Sequence, residues 1–314
     1  METMALRQAL LTRLGEFPRR TALAPIMEAP IDEGEYSQAR LTYEVEEGER
    51  IAAWLLIPKG LVPQGGWPAL LALHQHAGQF ALGKSEPAGL AGDPMYAYGR
   101  DLCRRGYMVL CPDFLCFEER RPSKEVPQTR RGLDGEAYER FEFTRRLLTG
   151  SCLQTKYLHD LICAVDVLVS LPEVNRERLG AIGHSLGGQE TLWLAWYDPR
   201  IAAAVSSCGF GLLTTILRDG INHNFAAYVP GMLDICDMDG LLMDLAPRAF
   251  LLTAGESDPL FPIDGVRSLV EKVQRHSIQK GLPERFQTLL FPSGHCFPDE
   301  VKAQTYAFLD RWLK

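Results

Sequence analysis

The stretch GAIGHSLGGQETLW places Ser185 between Gly183 and Gly187. It follows an apolar run that predicts a buried strand, and it opens a segment of helical length and period. Two glycines at this spacing allow a turn tight enough to hold the serine in a strained, exposed conformation. The backbone N–H of Leu186, at the start of the predicted helix, would then point towards an oxyanion beside the serine. Because the chain has 28 glycines, the motif alone is weak evidence for a nucleophile. The assignment of Ser185 depends on whether the chain also offers a base and an acid as its partners.

A serine hydroxyl needs a base, and the base needs a carboxylate that orients it. The last predicted strand leads into FPSGHCFPD, which places His295 in the loop after it. The preceding predicted strand leads into TAGESDPLFP, which offers both Glu256 and Asp258. These acids are two positions apart, so only one of them can face the histidine, and Asp258, further past the strand end, is favoured. We therefore predict Ser185 as nucleophile, His295 as base and Asp258 as acid.

The elements that must position these residues follow from an alternation of apolar runs and helical segments. Residues 38–58 have period-two patterning around a Glu47-Gly48 turn, which predicts an antiparallel hairpin. Short apolar runs that predict buried parallel strands lie at 68–74, 107–113, 178–184, 201–209, 248–255 and 286–294. Segments of helical length and period lie at 154–171, 186–197, 263–280 and 299–313. The sequence thus predicts an α/β fold with a mostly parallel, twisted sheet and helices on both faces.

A chain of 314 residues with 46% hydrophobic content can bury a full core but is short for two large domains. We expect a single domain over 1–314 that begins with a helix at 4–17. Two intervals, about 114–150 and 210–247, are longer than ordinary connections. Both follow predicted strands at their C-terminal ends, where open parallel sheets bind ligands. They are therefore predicted to be small cap-like insertions over a site.

Composition excludes several classes of protein. The formal net charge of −7 and the lack of a dominant basic segment argue against nucleic acid as a partner. Eight cysteines at irregular spacings indicate free thiols rather than a disulfide framework or a zinc motif. No run of about 18 apolar residues predicts a membrane span, and the N-terminus lacks a signal-peptide core. A cytoplasmic protein with no membrane partner is expected, whereas its oligomeric state stays undetermined.

These residues make the chain resemble the α/β-hydrolase superfamily over nearly all of residues 36–314. Within it, the chain is most similar to the dienelactone-hydrolase-like and acetyl-xylan-esterase-like branch. The order of nucleophile, acid and base is that of the superfamily, and the stretches LHQHAGQFALGKSEPAGL, CPDFLCFEER and NHNFAAYVPGM resemble signature segments of this branch. The resemblance implies an α/β-hydrolase fold and hydrolysis of small carboxylic esters through an acyl-enzyme, with no cofactor. It also implies a second oxyanion N–H at His76, although this chain reads His74-Gln75-His76 where relatives usually carry His-Gly-X.

Charged residues near the predicted site have two interpretations. Arg120, in FEER after the strand at 107–113, could bind a substrate carboxylate through both of its terminal nitrogens. The alternative, which we favour, is an ion pair that anchors the long loop. Lys84 and Glu86, in GKSEP, are interpreted in the same way, as residues that pin the loop beyond His76.

The insertion at 210–247 mixes apolar residues with a few polar ones. For any single apolar residue, packing within the cap is the simpler interpretation. As a set, they favour a pocket for an acyl or aromatic group, with His223, Asn224 and Tyr228 as polar contacts to the substrate.

Three histidines, His74, His76 and His184, could suggest a metal site. Catalytic zinc needs three converging protein ligands, and these histidines have structural places around the nucleophile, so we predict no metal. A peptidase or amidase on the same fold is a competing function, although no N-terminal region large enough to filter peptides is expected. A non-catalytic binding protein that has kept the fold is another, and the intact Ser, Asp and His set argues against it.

Overall fold

The computed structural model describes residues 2–122 and 133–314, which share one ten-stranded sheet. The strands, numbered in chain order, are β1 (Ile26–Met27), β2 (Ile31–Asp32), β3 (Tyr36–Glu46), β4 (Glu49–Pro58), β5 (Trp67–Leu73), β6 (Met108–Pro112), β7 (Val174–His184), β8 (Ile201–Ser207), β9 (Ala249–Gly255) and β10 (Phe286–Phe291). The α-helices are α1 (Glu2–Leu14), α2 (Tyr98–Arg104), α3 (Gly135–Leu148), α4 (Leu153–Ser170), α5 (Leu186–Tyr197), α6 (Leu213–Arg218), α7 (Met238–Met243), α8 (Ile263–Gln279) and α9 (Asp299–Leu313).

The sheet runs in the order β1-β3-β4-β6-β5-β7-β8-β9-β10, with β2 paired to β3. Strands β3 and β4 form the predicted antiparallel hairpin, and Gly48 takes the positive φ of 76° that their tight turn requires. From β6 onward each neighbouring pair in this order is parallel, while β4 joins β6 antiparallel. The prediction of a mostly parallel sheet with N-terminal antiparallel strands is confirmed.

Helices cover both faces of this sheet. Since successive residues of a strand point to opposite sides, one strand contributes to the packing on both faces. On β5, Leu71 and Leu73 belong to an apolar cluster that also contains residues of α4, α5, α7 and α8. Leu70 and Ala72 belong to a second cluster that contains residues of α2 and α9. Within the described residues, no helix is both long and apolar enough to cross a membrane.

The N-terminal helix ends earlier than the predicted residue 17. Leu10 and Leu14 are fully buried, and α1 stops at Leu14. Gly15 then turns the chain with a φ of 75° and lies so close to residue 150 that a Cβ would stand 2.0 Å from the Gly150 carbonyl oxygen. The helix is thus ended by a close backbone contact with a distant part of the chain, which helical periodicity does not reveal.

The two long intervals lie at the C-terminal ends of β6 and β8, as expected. The interval 114–150 contains α3, and its residues 123–132 lie outside the described part of the chain. The interval 210–247 contains α6, α7 and two short 3-10 turns.

A buried ionic network joins the loop after β6 to the hairpin and to α4. Arg120 is 7% exposed, and its guanidinium pairs with Asp160 at 2.8 Å and with Glu49. It also donates a hydrogen bond to the Asp113 carbonyl oxygen at 3.1 Å. Lys156 pairs with the same two carboxylates, at 2.9 Å from Asp160 and 3.0 Å from Glu49. These contacts support the anchoring ion pair, the interpretation of Arg120 favoured from the sequence, rather than the alternative of a substrate contact.

The charges of this network are strongly coupled. Burial raises the pKa of Glu49, but the nearby charges of Arg120 and Lys156 more than offset this, and its pKa lies at about 2. A carboxyl group with a depressed pKa in the folded state stabilises the fold above its usual pKa, here 4.5, and this contribution is lost as the pH falls towards 2.

We expect Arg120→Met to lower the free energy of unfolding by about 3–5 kcal/mol, because it leaves buried carboxylates without their main partner. Urea unfolding at neutral pH measures this. Arg275→Met is the matched control, since Arg275 forms only an exposed pair with Glu271, and it should cost less than about 0.5 kcal/mol. The difference between wild type and Arg120→Met should shrink below pH 4.5. Equal stability of both variants, with a raised KM for carboxylate-bearing esters in Arg120→Met, would return Arg120 to a substrate-binding role.

Candidate active site

Ser185 lies at the junction of β7 and α5, with φ 55° and ψ −121°. A non-glycine residue adopts this region only when its surroundings enforce it. The Ser185 N–H donates to the carbonyl oxygen of Ser207, the last residue of β8, at 2.9 Å, and the Ser185 carbonyl accepts from Gln189 in α5 at 3.0 Å. The serine is therefore held by the neighbouring strand on one side and by its own helix on the other.

The two flanking glycines are required by close backbone contacts. A Cβ on Gly183 would lie 2.2 Å from the carbonyl carbon of Gly187, and a Cβ on Gly187 would lie 1.9 Å from the carbonyl oxygen of Leu73, the last residue of β5. Neither position can accept a side chain without a shift of the backbone. The helix α5 thus begins directly against the ends of β7 and β5, which places the serine at the C-terminal edge of the sheet.

Leu186 is the first residue of α5. The first N–H groups of a helix have no acceptor within that helix, and the helix dipole favours negative charge there. The backbone N–H of Leu186 is therefore suited to an oxyanion beside Ser185, as the sequence predicts.

The segment after β5 carries the second predicted oxyanion donor, His76. The His76 Nδ1 accepts a hydrogen bond from the Gly78 N–H at 3.0 Å, so its Nε2 carries the proton and donates to Glu139 Oε2 at 2.9 Å. The imidazole also makes edge contacts with Phe80 and Phe117, with ring centroids 4.9 and 5.1 Å away. Side-chain contacts thus hold this residue in a segment where relatives are expected to carry a glycine.

The neighbour of His76 is fixed in a similar way. Gln75 donates from Nε2 to Glu86 Oε1 at 2.9 Å, and burial raises the pKa of Glu86 to about 7. Lys84, fully buried, pairs with Asp113 at 2.8 Å and with Glu118 at 2.6 Å. Both Lys84 and Glu86 therefore pin the loop beyond His76, as their sequence context suggests.

The loops after β9 and β10 bring Asp258 and His295 together. The His295 Nδ1 donates to Asp258 Oδ2 at 2.7 Å, and the side chain of Asp258 is only 1% exposed. The other oxygen, Oδ1, accepts from the Leu260 N–H at 2.9 Å. With the proton on Nδ1, the Nε2 of a neutral His295 is free to act as a base. The competing acid, Glu256, instead pairs with Arg267 of α8 at 2.6 Å.

Ser185 and His295 line the same cleft, which has a volume of about 1100 Å³. Its polar wall includes the residues predicted to contact the substrate in the 210–247 interval, namely His223, Asn224 and Tyr228. Their roles as substrate contacts remain predictions.

Hydrogen bonds fix these three residues. The His223 N–H donates to Tyr228 Oη at 3.0 Å, and burial lowers the pKa of the His223 imidazole. Asn224 Oδ1 accepts from the Ala227 N–H at 3.2 Å, while its Nδ2 donates to Gln189 Oε1 at 3.3 Å. The cap interval is thus tied to α5, the helix that begins next to the proposed nucleophile.

Sequence reasoning missed two buried carboxylates. Glu139 of α3 is 1% exposed, lines the cleft and holds His76. Glu190 of α5 is fully buried, and burial raises its pKa to about 8. It accepts hydrogen bonds from Gln154 at 2.5 Å and from Gln189 at 3.0 Å. An acid in the otherwise uncharged helix α5 was the available signal for Glu190, whereas Glu139 looks like an ordinary surface residue of a charged helix.

The remaining histidines near the cleft are buried. Burial lowers the pKa of His74 to about 4, and its Nε2 accepts from the Phe114 N–H at 3.1 Å. His184 bonds Ser207 Oγ through Nδ1 at 3.0 Å, and its ring packs 4.7 Å from that of His295. Both histidines therefore serve the packing beneath the cleft.

Possible metal ligands come together in two places among the described residues. Two groups have ligand atoms within 4.8 Å of one another, and they consist of Cys208, Asp258 and His295, and of Glu46, His159 and Asp160. In the first group the carboxylate already holds the imidazole, and in the second Lys156 pairs with both carboxylates. Neither group leaves an unpaired carboxylate for a metal, and we assign a metal role to neither.

The chain is similar in sequence to known proteins. The sequence model of the dienelactone hydrolase family matches residues 85–307. A protein of Bacillus subtilis (strain 168), named "Putative hydrolase YtaP", is 28% identical over 315 residues, which cover 98% of each chain.

Solved structures share the fold at low sequence identity. A "putative acetyl xylan esterase" from Bacteroides fragilis NCTC 9343 superposes with a TM-score of 0.74 and 16% identity, over 98% of this chain and 81% of that one. A glucuronoyl esterase from Solibacter usitatus gives a TM-score of 0.70 and 13% identity, over 98% of this chain and 92% of that one.

We expect Asp258→Asn to lower kcat by about three to four orders of magnitude, because an amide favours the wrong tautomer of His295. Glu256→Gln is the matched control, since Glu256 lies two residues away and only pairs with Arg267, and it should cost less than about tenfold. Steady-state kinetics on an activated ester such as p-nitrophenyl acetate measure both. The reverse ranking, on variants of equal thermal stability, would move the acid to Glu256.

Proposed function

The chain belongs to the dienelactone hydrolase family, and on that premise we propose that it is a serine hydrolase that cleaves small carboxylic esters through an acyl-enzyme. One observation carries the proposal. A single cleft contains a serine in a strained turn at a helix N-terminus and a histidine whose Nδ1 donates to a buried aspartate. This combination supplies a nucleophile, a base and an anion site within one water-accessible space.

The mechanism follows from these positions. Ser185 Oγ attacks the ester carbonyl carbon while His295 Nε2 accepts its proton. Asp258 keeps the proton on Nδ1 and stabilises the imidazolium that forms. The backbone N–H groups of Leu186 and His76 stabilise the oxyanion. His295 then protonates the leaving alcohol, the acyl group stays on Ser185, and a water activated by His295 releases the acid.

We also propose that the whole chain is one domain in which the intervals 114–150 and 210–247 act as a cap. Contacts of α3 and of the turn Phe225–Ala227 with the cleft support this. The cleft volume of about 1100 Å³ is slightly above the range of about 300–1,000 Å³ for small-molecule sites. It can therefore accept an ester larger than a simple acetate.

A reducing compartment, the cytoplasm, is our proposal for the location of the protein. All eight cysteines are free, and six of them are buried among apolar neighbours rather than placed to pair. Disulfides form and persist in oxidising environments, whereas thiols stay reduced in the cytosol.

We expect Ser185→Ala to fold normally and to lose at least about a thousandfold in kcat, because the nucleophile and its base act as a unit. Ser170→Ala, which removes an exposed hydroxyl at the end of α4, is the control. The assay panel should include p-nitrophenyl esters, acetylated xylan oligomers, a glucuronate methyl ester and a dienelactone, because the solved relatives share only the fold and leave the substrate open.

A fluorophosphonate probe separates an enzyme from a binding protein on the same fold. Wild-type protein should be labelled and Ser185→Ala should not. Retention of more than a tenth of the activity in Ser185→Ala would exclude this serine as nucleophile, and lack of labelling of folded wild-type protein would favour a non-catalytic binding role.

A further inference from the structure

Beside the cleft lies a second cavity of about 340 Å³, which we name the cap groove. It is formed by residues 213–234 of the cap interval together with Phe143 of α3. Most of its wall is apolar and includes Ile216, Leu217, Met232 and Leu233. Its one acidic wall residue among those described, Asp234, forms an ion pair with Arg13 at 3.7 Å. The groove therefore suits an uncharged, apolar group.

The cap groove adjoins the cleft. Phe143, His223 and Tyr228 line both spaces and form the partition between them. The hydrogen bond between the His223 N–H and Tyr228 Oη fixes one side of the partition. Phe143 is stacked on Phe225, with ring centroids 5.2 Å apart, which fixes the other. A substrate group that passes this partition remains in contact with apolar side chains.

One end of the partition, at His223, lies on the His295 side of the cleft. The ring of His223 lies 4.7 Å from that of Phe261, which in turn lies 5.9 Å from that of His295. On α3, Phe143 lies one turn beyond Glu139, the residue that holds His76. The His223 end of the partition is thus next to the proposed base, whereas its Phe143 end is near the segment that carries His76.

This placement decides which part of an ester can reach the groove. The carbonyl oxygen must face the backbone N–H groups of Leu186 and His76, while the alkoxy oxygen must face His295, because it takes up the proton when the acyl C–O bond breaks. The carbon chain attached to the alkoxy oxygen is therefore directed towards the His223 end of the partition.

Resting on the proposed esterase function, we propose that the cap groove binds the apolar part of the alcohol, an alkyl or aryl group of the ester. The acyl C–O bond breaks, Ser185 Oγ takes the acyl group, and the alcohol leaves the groove with the proton from His295. Burial of each further methylene should raise kcat/KM about fourfold until the groove is full.

Two ester series test which part of the substrate occupies the groove. One consists of acetates of straight-chain alcohols from ethyl to octyl, and the other of ethyl esters of straight-chain acids from acetate to octanoate. We expect kcat/KM of the wild-type protein to rise with the length of the alcohol. For Leu217→Asp and Leu233→Asp, kcat/KM of each acetate is normalised to that of ethyl acetate with the same variant. The rise with alcohol length should then be less than half of the rise in the wild-type protein. The dependence on acid length should not change.

The two variants suit the test because Leu217 is 57% and Leu233 is 41% exposed, so a charge at either position leaves the core intact. Leu61→Asp, at a residue that is 94% exposed and outside the groove, is the matched control and should behave as wild type.

Each outcome is decisive. Loss of the dependence on acid length would place the acyl chain in the groove and overturn the proposal. Unchanged dependence on alcohol length in both variants would also overturn it, while leaving the esterase function intact. Lack of hydrolysis of every ester by wild-type protein would overturn the esterase function and this inference together.

Discussion

The close approach of α5 to the ends of β5 and β7 is the constraint on which the rest of the site depends. Two positions that cannot carry a side chain, Gly183 and Gly187, allow this approach. A Cβ atom at either position would lie 1.9–2.2 Å from a neighbouring backbone atom. Since β5, β7 and β8 are adjacent and parallel, this contact fixes Ser185 at their common edge. The strain stored at the serine is offset by the packing of three strands and a helix.

The loops around the serine are held by buried charges rather than by regular structure. Lys84 with Asp113 and Glu118, and Arg120 with Asp160 and Glu49, fix the chain after β5 and after β6. Such pairs add little net stability compared with apolar residues of the same volume, but they tolerate few alternative arrangements. Such pairs thus suit loops in which the direction of the backbone N–H groups must stay fixed.

The sequence reveals those parts of the site that depend on local order along the chain. Ser185, Asp258 and His295 each follow an apolar strand, so their positions at one sheet edge could be predicted from strand periodicity and the rule for parallel sheets. Arg120 could not be placed in this way, because its carboxylate partners lie in the hairpin and in α4, far away in the sequence. The same holds for Glu139, whose importance depends on a hydrogen bond to a residue 63 positions earlier.

The cap is linked to the proposed nucleophile by a chain of amide hydrogen bonds. Asn224 donates to Gln189, and Gln189 donates to Glu190, which is also held by Gln154 of α4. The turn that carries the cleft wall is therefore positioned by the same helix that positions Ser185. Leu217 and Leu233 of the cap groove lie outside this series of hydrogen bonds and are 57% and 41% exposed. The groove can consequently change its shape and polarity while the reacting groups stay fixed, which separates the choice of substrate from the chemistry performed on it.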